Sequence, residues 1–237
     1  FDYDPSRSGR VATRLLDGFS GYMMSDGYDG YNAAARSASV NHLACWTHAR
    51  RRFIEAQRVQ PKGKTGKADV GVNYIAKLYA IEKLLKDCSQ EIRTTTRQEK
   101  SRAVLSELRA WLDKSLAGVP PQSKLGDALR YLDKYWSRLV RYTERGDLPL
   151  DNNRAENAIR PFVIGRKNWL FADTPKGASA SAVIYSLVET AKANGHEPYA
   201  YLRHVLSALP KANSVEDVEQ LLPWHLNVAE LMENALR

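Results

Sequence analysis

Apolar residues recur along this chain at two periods, and the changes of period mark its elements. Gly21 to Asp26 and Val40 to Trp46 are short apolar runs without helical spacing and predict strands, while Val11 to Leu16, ahead of Gly18, predicts a short helix. Phe1 to Tyr3 reads as the remnant of another strand, and His48 to Val59 as a basic helix with Phe53 and Ile54 facing inward. Three amphipathic helical patterns follow the loop-forming Gln60 to Lys67. Val72, Ile75, Leu78, Tyr79 and Leu85 share one face, Val104, Leu105, Leu108, Trp111, Leu112 and Leu116 a second, and Leu125, Leu129, Leu132, Trp136, Leu139 and Val140 a third.

Beyond Leu150 the signals are local. Asp151, Asn152 and Asn153 precede a helical pattern and can cap its first turn, which puts Glu156 near a helix N-terminus with Arg160 one turn further along the same face. Pro161 is expected to end or kink that helix, leaving Phe162 to Phe171 extended with a turn at Gly165. Ala178 to Ala193 is helical again, Asn194-Gly195 supplies a left-handed stop, and Pro198 to Leu209 and Val215 to Leu222 are further helices. The fold class is α/β, mostly helical overall.

Composition narrows the setting. With 43% hydrophobic and 26% charged residues over 237 positions the chain is globular, not disordered. A net charge of +8 favours a polyanionic partner, because Lys and Arg displace counterions from phosphates. Two cysteines cannot build a disulfide framework, no signal peptide is visible, and no apolar run approaches the ~20 residues of a membrane span, so a cytoplasmic protein with no membrane partner is expected.

The candidate chemistry is metal-dependent. Asp26 closes an apolar run and the following Gly27 permits a sharp turn, so a carboxylate is expected at a strand tip. Asp26 from a strand end and Glu156 from a helix start are a donor pair suited to a divalent ion. Asp151 is read as part of the helix start, with a spare-ligand role as the alternative. Arg154, Arg160, Arg166 and Lys167 lie near Glu156 in sequence and, with Arg50, Arg51 and Arg52, are candidates for gripping DNA phosphates. Trp169 and Phe171 are candidates for stacking on an unpaired base, with core packing favoured. Cys45 and His48 have the spacing of half a zinc site, but a second pair is lacking nearby, so a buried Cys and a structural His are favoured.

Several segments carry a family resemblance: Ser25-Asp26-Gly27-Tyr28-Asp29-Gly30-Tyr31-Asn32, Ala44 to Phe53 with its Cys-Trp-Thr-His, Asp151 to Pro161, Gly165 to Phe171, and Asn194 to Leu202. In this order they resemble the insertion-sequence-66 family of bacterial transposases, DDE enzymes with a ribonuclease-H-like core. The resemblance, from Phe1 to about Leu226, implies metal-dependent DNA strand cleavage and transfer. It also implies Mg²⁺ or Mn²⁺ on catalytic acids matching Asp26 and Glu156, and a homo-oligomer acting on transposon ends and target DNA. It divides the chain into a partial ribonuclease-H-like core (1–60), an all-helical insertion (61–146), a return to the core carrying the third acid (147–193) and a helical C-terminal element (194–237). The chain opens on Phe1, and its first Met is Met23. In the resembled family the first catalytic aspartate lies on a strand before the one that would end near Phe1 to Tyr3, so it is expected upstream of Phe1; too few residues separate Asp2 or Asp4 from Asp26 for the intervening strands, and the chain alone is expected to be inactive. The alternative to a working strand-transfer module is an inactive remnant that binds only DNA or transposase partners.

Overall fold

The structure, a computed structural model, describes residues 1–36, 39–61, 63, 65–169, 172–229 and 231. They divide into two compact units, Ser6–Arg154 on one side and Phe1–Pro5 with Ala155–Arg237 on the other.

In Ser6–Arg154, β1 (Gly21–Ser25) and β2 (Val40–Ala44) pair in parallel, with Gly21 opposite Val40 and Ser25 opposite Ala44. Parallel neighbours need a crossover. Here it contains two 3₁₀ turns, Asp29–Tyr31 and Ala34–Arg36, and α1 (Gly9–Leu15) packs on the first. All of β2 except Asn41 is buried, the pattern of a strand covered on both faces.

The cover is helical. α2 (Trp46–Arg58), α3 (Lys67–Leu84), α5 (Arg102–Leu116) and α6 (Lys124–Val140) share one core with β2, built on Leu43, Trp46, Phe53, Leu78, Leu108 and Leu132. The three amphipathic faces expected from the sequence therefore converge on the strands themselves. Trp46 is completely buried, and its indole Nε1–H donates to the Leu139 carbonyl at 2.9 Å.

Between α3 and α5 lies a helix that apolar spacing does not reveal. α4 (Gln90–Thr96) passes through a π-helical turn, Arg97–Ser101, into α5. The π turn buries Ser101 and Arg97, whose Nε and Nη2 donate to Glu82 at 2.8 and 2.6 Å and whose Nη1 donates to the Tyr142 carbonyl at 3.0 Å. A guanidinium can sit there because its donors meet a carboxylate in fork geometry.

The other compact unit contains most of α7 (Asn153–Trp169), with α8 (Pro175–Ala193), α9 (Pro198–Ala208) and α10 (Val215–Glu219). Two expectations are corrected here. α7 continues past Pro161, so Phe162 to Trp169 is helical, not extended, and Gly165 is not at a turn; Leu170 and Phe171 lie outside the described residues. Proline removes one backbone donor, but the helical phase stacks Phe162 and Trp169 two turns apart, 5.2 and 5.8 Å from the ring of Tyr185 on α8. Phe1 to Tyr3 is not a strand either, since β1 and β2 are the only described strands that pair; Phe1 lies instead against Phe162, with ring centroids 6.4 Å apart.

The motif from Asn194 to Leu202 is a helix-to-helix joint. Gly195 takes φ +81° to stop α8, Glu197 accepts the Ala200 N–H at 2.7 Å to cap α9, and Pro198 opens that helix. His196 and Tyr201 stack and hold the carbonyls of Pro223 and Leu221 at 2.6 and 3.1 Å. Both ends of this motif therefore serve packing. Among the described residues, no helix is long and apolar enough to cross a membrane.

Trp46→Phe keeps most of the buried ring area but strands the Leu139 carbonyl and leaves a gap. The expected loss is about 2 kcal/mol of stability for Ser6–Arg154, read as a lower urea midpoint with an unchanged m-value.

Candidate functional site

Asp26 follows the last residue of β1 and is exposed, while Ser25 before it is buried. The Asp26 Oδ1 accepts the Tyr28 N–H at 2.9 Å, closing an Asx turn over Gly27. Gly27 has φ +87°, and a Cβ there would come within 3.3 Å of the Tyr135 ring, so both conformation and space demand glycine. From α6, Tyr135 Oη donates to the Gly27 carbonyl at 3.0 Å and Tyr131 Oη to the Asp26 carbonyl at 3.4 Å. The two rings lie 4.7 Å apart. Below the turn, Ser25 Oγ accepts the Gly27 N–H at 3.3 Å and lies 2.7 Å from His42 Nε2 on β2. The strand tip carrying Asp26 is thus held by α6 and by β2.

The same end of the sheet receives the loop before α7. Leu148 and Leu150 are buried in the main core, and the Trp46 N–H donates to the Leu150 carbonyl at 3.2 Å. The Asn152 N–H approaches Cys45 Sγ at 3.5 Å. Asp151 Oδ1 accepts the N–H of Asn153, the first residue of α7, at 3.1 Å, as the helix-start reading requires. Its Oδ2 accepts from Tyr79 Oη at 2.8 Å, and the one Thr47 hydroxyl proton goes to Tyr79 Oη, 2.8 Å away, with Oδ2 further off at 3.3 Å. The segment Cys45-Trp46-Thr47 therefore clasps residues 150–152. Burial pushes the Cys45 thiol up. Burial, then the bond to Asp151, raises Tyr79 far above an ordinary phenol, against the opposing bond from Thr47.

These tyrosines and Thr47 were not singled out for the site from sequence. Tyr79 falls on the apolar face of α3 and reads there as core; the detectable signal is a hydroxyl-bearing residue on a face that is otherwise aliphatic.

Glu156 lies in the first turn of α7 and is half-buried. It belongs to the second compact unit and Asp26 to the first, so each acid has its own setting. No group of three or more His, Cys, Asp or Glu side chains gathers into a metal site among the described residues. Arg154, Arg160, Arg166, Lys167 and Trp169 are exposed along α7, and Arg50 and Arg51 along α2. Arg52 is engaged: it pairs with Asp127 at 2.6 Å and lies over the Tyr131 ring at 4.5 Å. It helps to hold α2 against the helix that supports the Asp26 turn.

Comparison with known proteins identifies the lineage. The profile of the transposase IS66 family matches residues 1–180, and that of the IS66 C-terminal element matches residues 186–224. The chain belongs to the IS66 transposase family. Two similar relatives from Sinorhizobium fredii, named as uncharacterized proteins y4hP and y4jD, are 31% and 32% identical over 92% and 94% of this chain. The match covers 42% and 44% of their lengths, so the chain spans less than half of these relatives. No solved structure matches it significantly. In this IS66 family chain the acid of the Ser-Asp-Gly-Tyr motif occupies the held turn, and the Cys-Trp-Thr segment clasps the loop leading to the Glu156 helix.

Burial, reinforced by the positive charges of Arg138 and Arg141, lowers His42 to about 4, and its Nδ1 has no partner. The folded state binds this proton more weakly than the unfolded chain, so the contribution is full above pH 6.5 and is lost as pH falls from there through about 4. On the order of 2 kcal/mol is expected to disappear over that window. Urea denaturation at stepped pH checks it: His42→Gln should flatten that part of the profile, and an unchanged slope would remove His42 as its source.

Proposed function

We propose that this chain supplies part of the catalytic core of a DDE transposase with a ribonuclease-H-like fold, acting in DNA transposition by metal-dependent strand cleavage and transfer within an assembly of several copies. Asp26 and Glu156 are two of its catalytic carboxylates. The observation that carries the reading is the Asp26 turn: an exposed carboxylate, on a tip held by Tyr131, Tyr135 and Ser25, at the C-terminal end of a parallel strand pair, in the family's own motif. Open α/β sheets place ligand sites at that end of their strands.

The donor chemistry fits Mg²⁺ or Mn²⁺, hard ions that take carboxylate oxygens. Asp26 engages one oxygen with the Tyr28 N–H, which orients the carboxylate. Bound divalent ions would supply activation of the attacking water or 3′-hydroxyl and charge stabilisation on the leaving oxygen. The chain's own part is to hold that carboxylate without reorganisation and to place cationic side chains along the DNA backbone. Arg50 and Arg51 on α2, and Arg154, Arg160, Arg166 and Lys167 on α7, are proposed for the second task.

In the transposase containing this sequence, Asp26→Asn and Glu156→Gln are each expected to reduce strand transfer on labelled element ends by about a thousandfold or more while leaving DNA affinity within a fewfold. Transfer within tenfold of the unaltered protein removes the substituted acid from the mechanism. If the unaltered protein binds DNA but transfers no strand under Mg²⁺ or Mn²⁺, the binding-only alternative takes its place. DNA binding by the chain should fall steeply with salt, and Arg50→Ala with Arg51→Ala should reduce the slope of log K against log salt by about 1–2, one phosphate contact being worth roughly 0.9. A salt-independent affinity contradicts the electrostatic account.

A further inference from the structure

Asp151 stands five positions before Glu156 and is itself a carboxylate, which makes it an obvious extra metal ligand. Its hydrogen bonds assign it another task. Oδ1 receives the Asn153 N–H at 3.1 Å, and Oδ2 receives the Tyr79 hydroxyl at 2.8 Å. Both oxygens are occupied. Tyr79 gives its proton to Asp151, and Thr47, 2.8 Å from the Tyr79 oxygen, closes the triangle.

We infer that Thr47, Tyr79 and Asp151 form a latch that sets the start of the acid-bearing helix α7, with Asp151 as a positioning residue and not a metal ligand. The latch joins three parts of the Ser6–Arg154 unit: α2 through Thr47, α3 through Tyr79 and the loop through Asp151. Two neighbouring bonds hold the same loop by other means, Trp46 N–H to the Leu150 carbonyl and Asn152 N–H to Cys45 Sγ. Those bonds and the buried Leu148 and Leu150 keep the loop docked when the latch is opened. Opening it frees the Asp151 side chain, and with it the bond to the first N–H of α7. A helix start loses a turn readily when its side-chain acceptor is lost, because the first N–H groups have no partner within the helix. The helical layer would thus bear on the chemistry through α3, whose Tyr79 lies far from Asp151 in sequence. Only this catalytic consequence rests on the proposed function; the latch itself rests on the hydrogen bonds.

Tyr79→Phe tests it, because the ring and its packing remain and only the hydroxyl goes. Hydrogen exchange on the chain is expected to speed up about tenfold at the amides of residues 152–156 while those of α5 and α6 keep their rates. Tyr79→Phe with Asp151→Asn should accelerate exchange no further than the stronger single variant, since both open one latch. In the transposase, Tyr79→Phe should lower the strand-transfer rate severalfold without changing the Kd for DNA, a split that a general loss of folding does not produce. Unchanged exchange at 152–156, or acceleration spread evenly over Ser6–Arg154, overturns the latch. Additive effects of the two substitutions overturn it as well. Its failure is separable from failure of the proposed function: active Asp26→Asn protein refutes the site but leaves the exchange result standing.

Discussion

Burial of Trp46 is the interaction on which the organised end of the sheet depends. Its ring is enclosed where β2 turns into α2, and an indole N–H cannot be taken from water there without an acceptor. Leu139, at the end of α6, supplies that acceptor, and Leu150 supplies one for the backbone N–H of the same residue. One residue, through its side chain and its backbone N–H, thereby ties the C-terminal end of β2 to α6 and to the loop before α7. The two tyrosines of α6 that support Asp26 inherit their position from this anchoring, as does the clasp of Cys45 and Thr47 on residues 151 and 152.

The polar interior follows the same logic with different groups. Arg97 is fully buried and yet paired with Glu82 and with the Tyr142 and Arg145 carbonyls, so each of its three nitrogens meets an acceptor. Ser25 and His42 form a smaller buried pair under the Asp26 turn, and His42 tolerates enclosure by remaining neutral. These groups limit which arrangements the core accepts, because an alternative packing would leave a charge or a donor without a partner.

The cationic residues sort by their surroundings. Arg50, Arg51 and Arg52 are consecutive on α2, and a helix turns successive residues apart, so equal roles were never available to them. Arg52 turns toward Asp127 and Tyr131 and becomes structural, while Arg50 and Arg51 stay exposed. On α7, continuity through Pro161 strings Arg154, Arg160, Arg166 and Lys167 along a single helix.

Much of this was legible from sequence for a definite reason: apolar periodicity and turn chemistry are local. The strands at Gly21 and Val40, the helices around Leu78, Leu108 and Leu132, the sharp turn at Gly27 and the stop at Gly195 follow from neighbouring residues, and the motif order carried the family. Local reasoning failed where a distant contact decides the outcome. Pro161 signals a helix end, and edge and tilted ring contacts of Phe162 and Trp169 with Tyr185 favour its continuation. The helix before the π turn was hidden because it buries no apolar residue, and the large side chain buried in the turn after it is an arginine satisfied by Glu82 and Tyr142. At the candidate site, sequence singled out the acids but not what holds them, since Tyr131, Tyr135, Tyr79 and Thr47 reach the Asp26 turn and Asp151 only after the helical layer has packed on the sheet. Hydrogen-bond partners far apart in the chain leave no periodic trace, so their roles exist only in the tertiary structure.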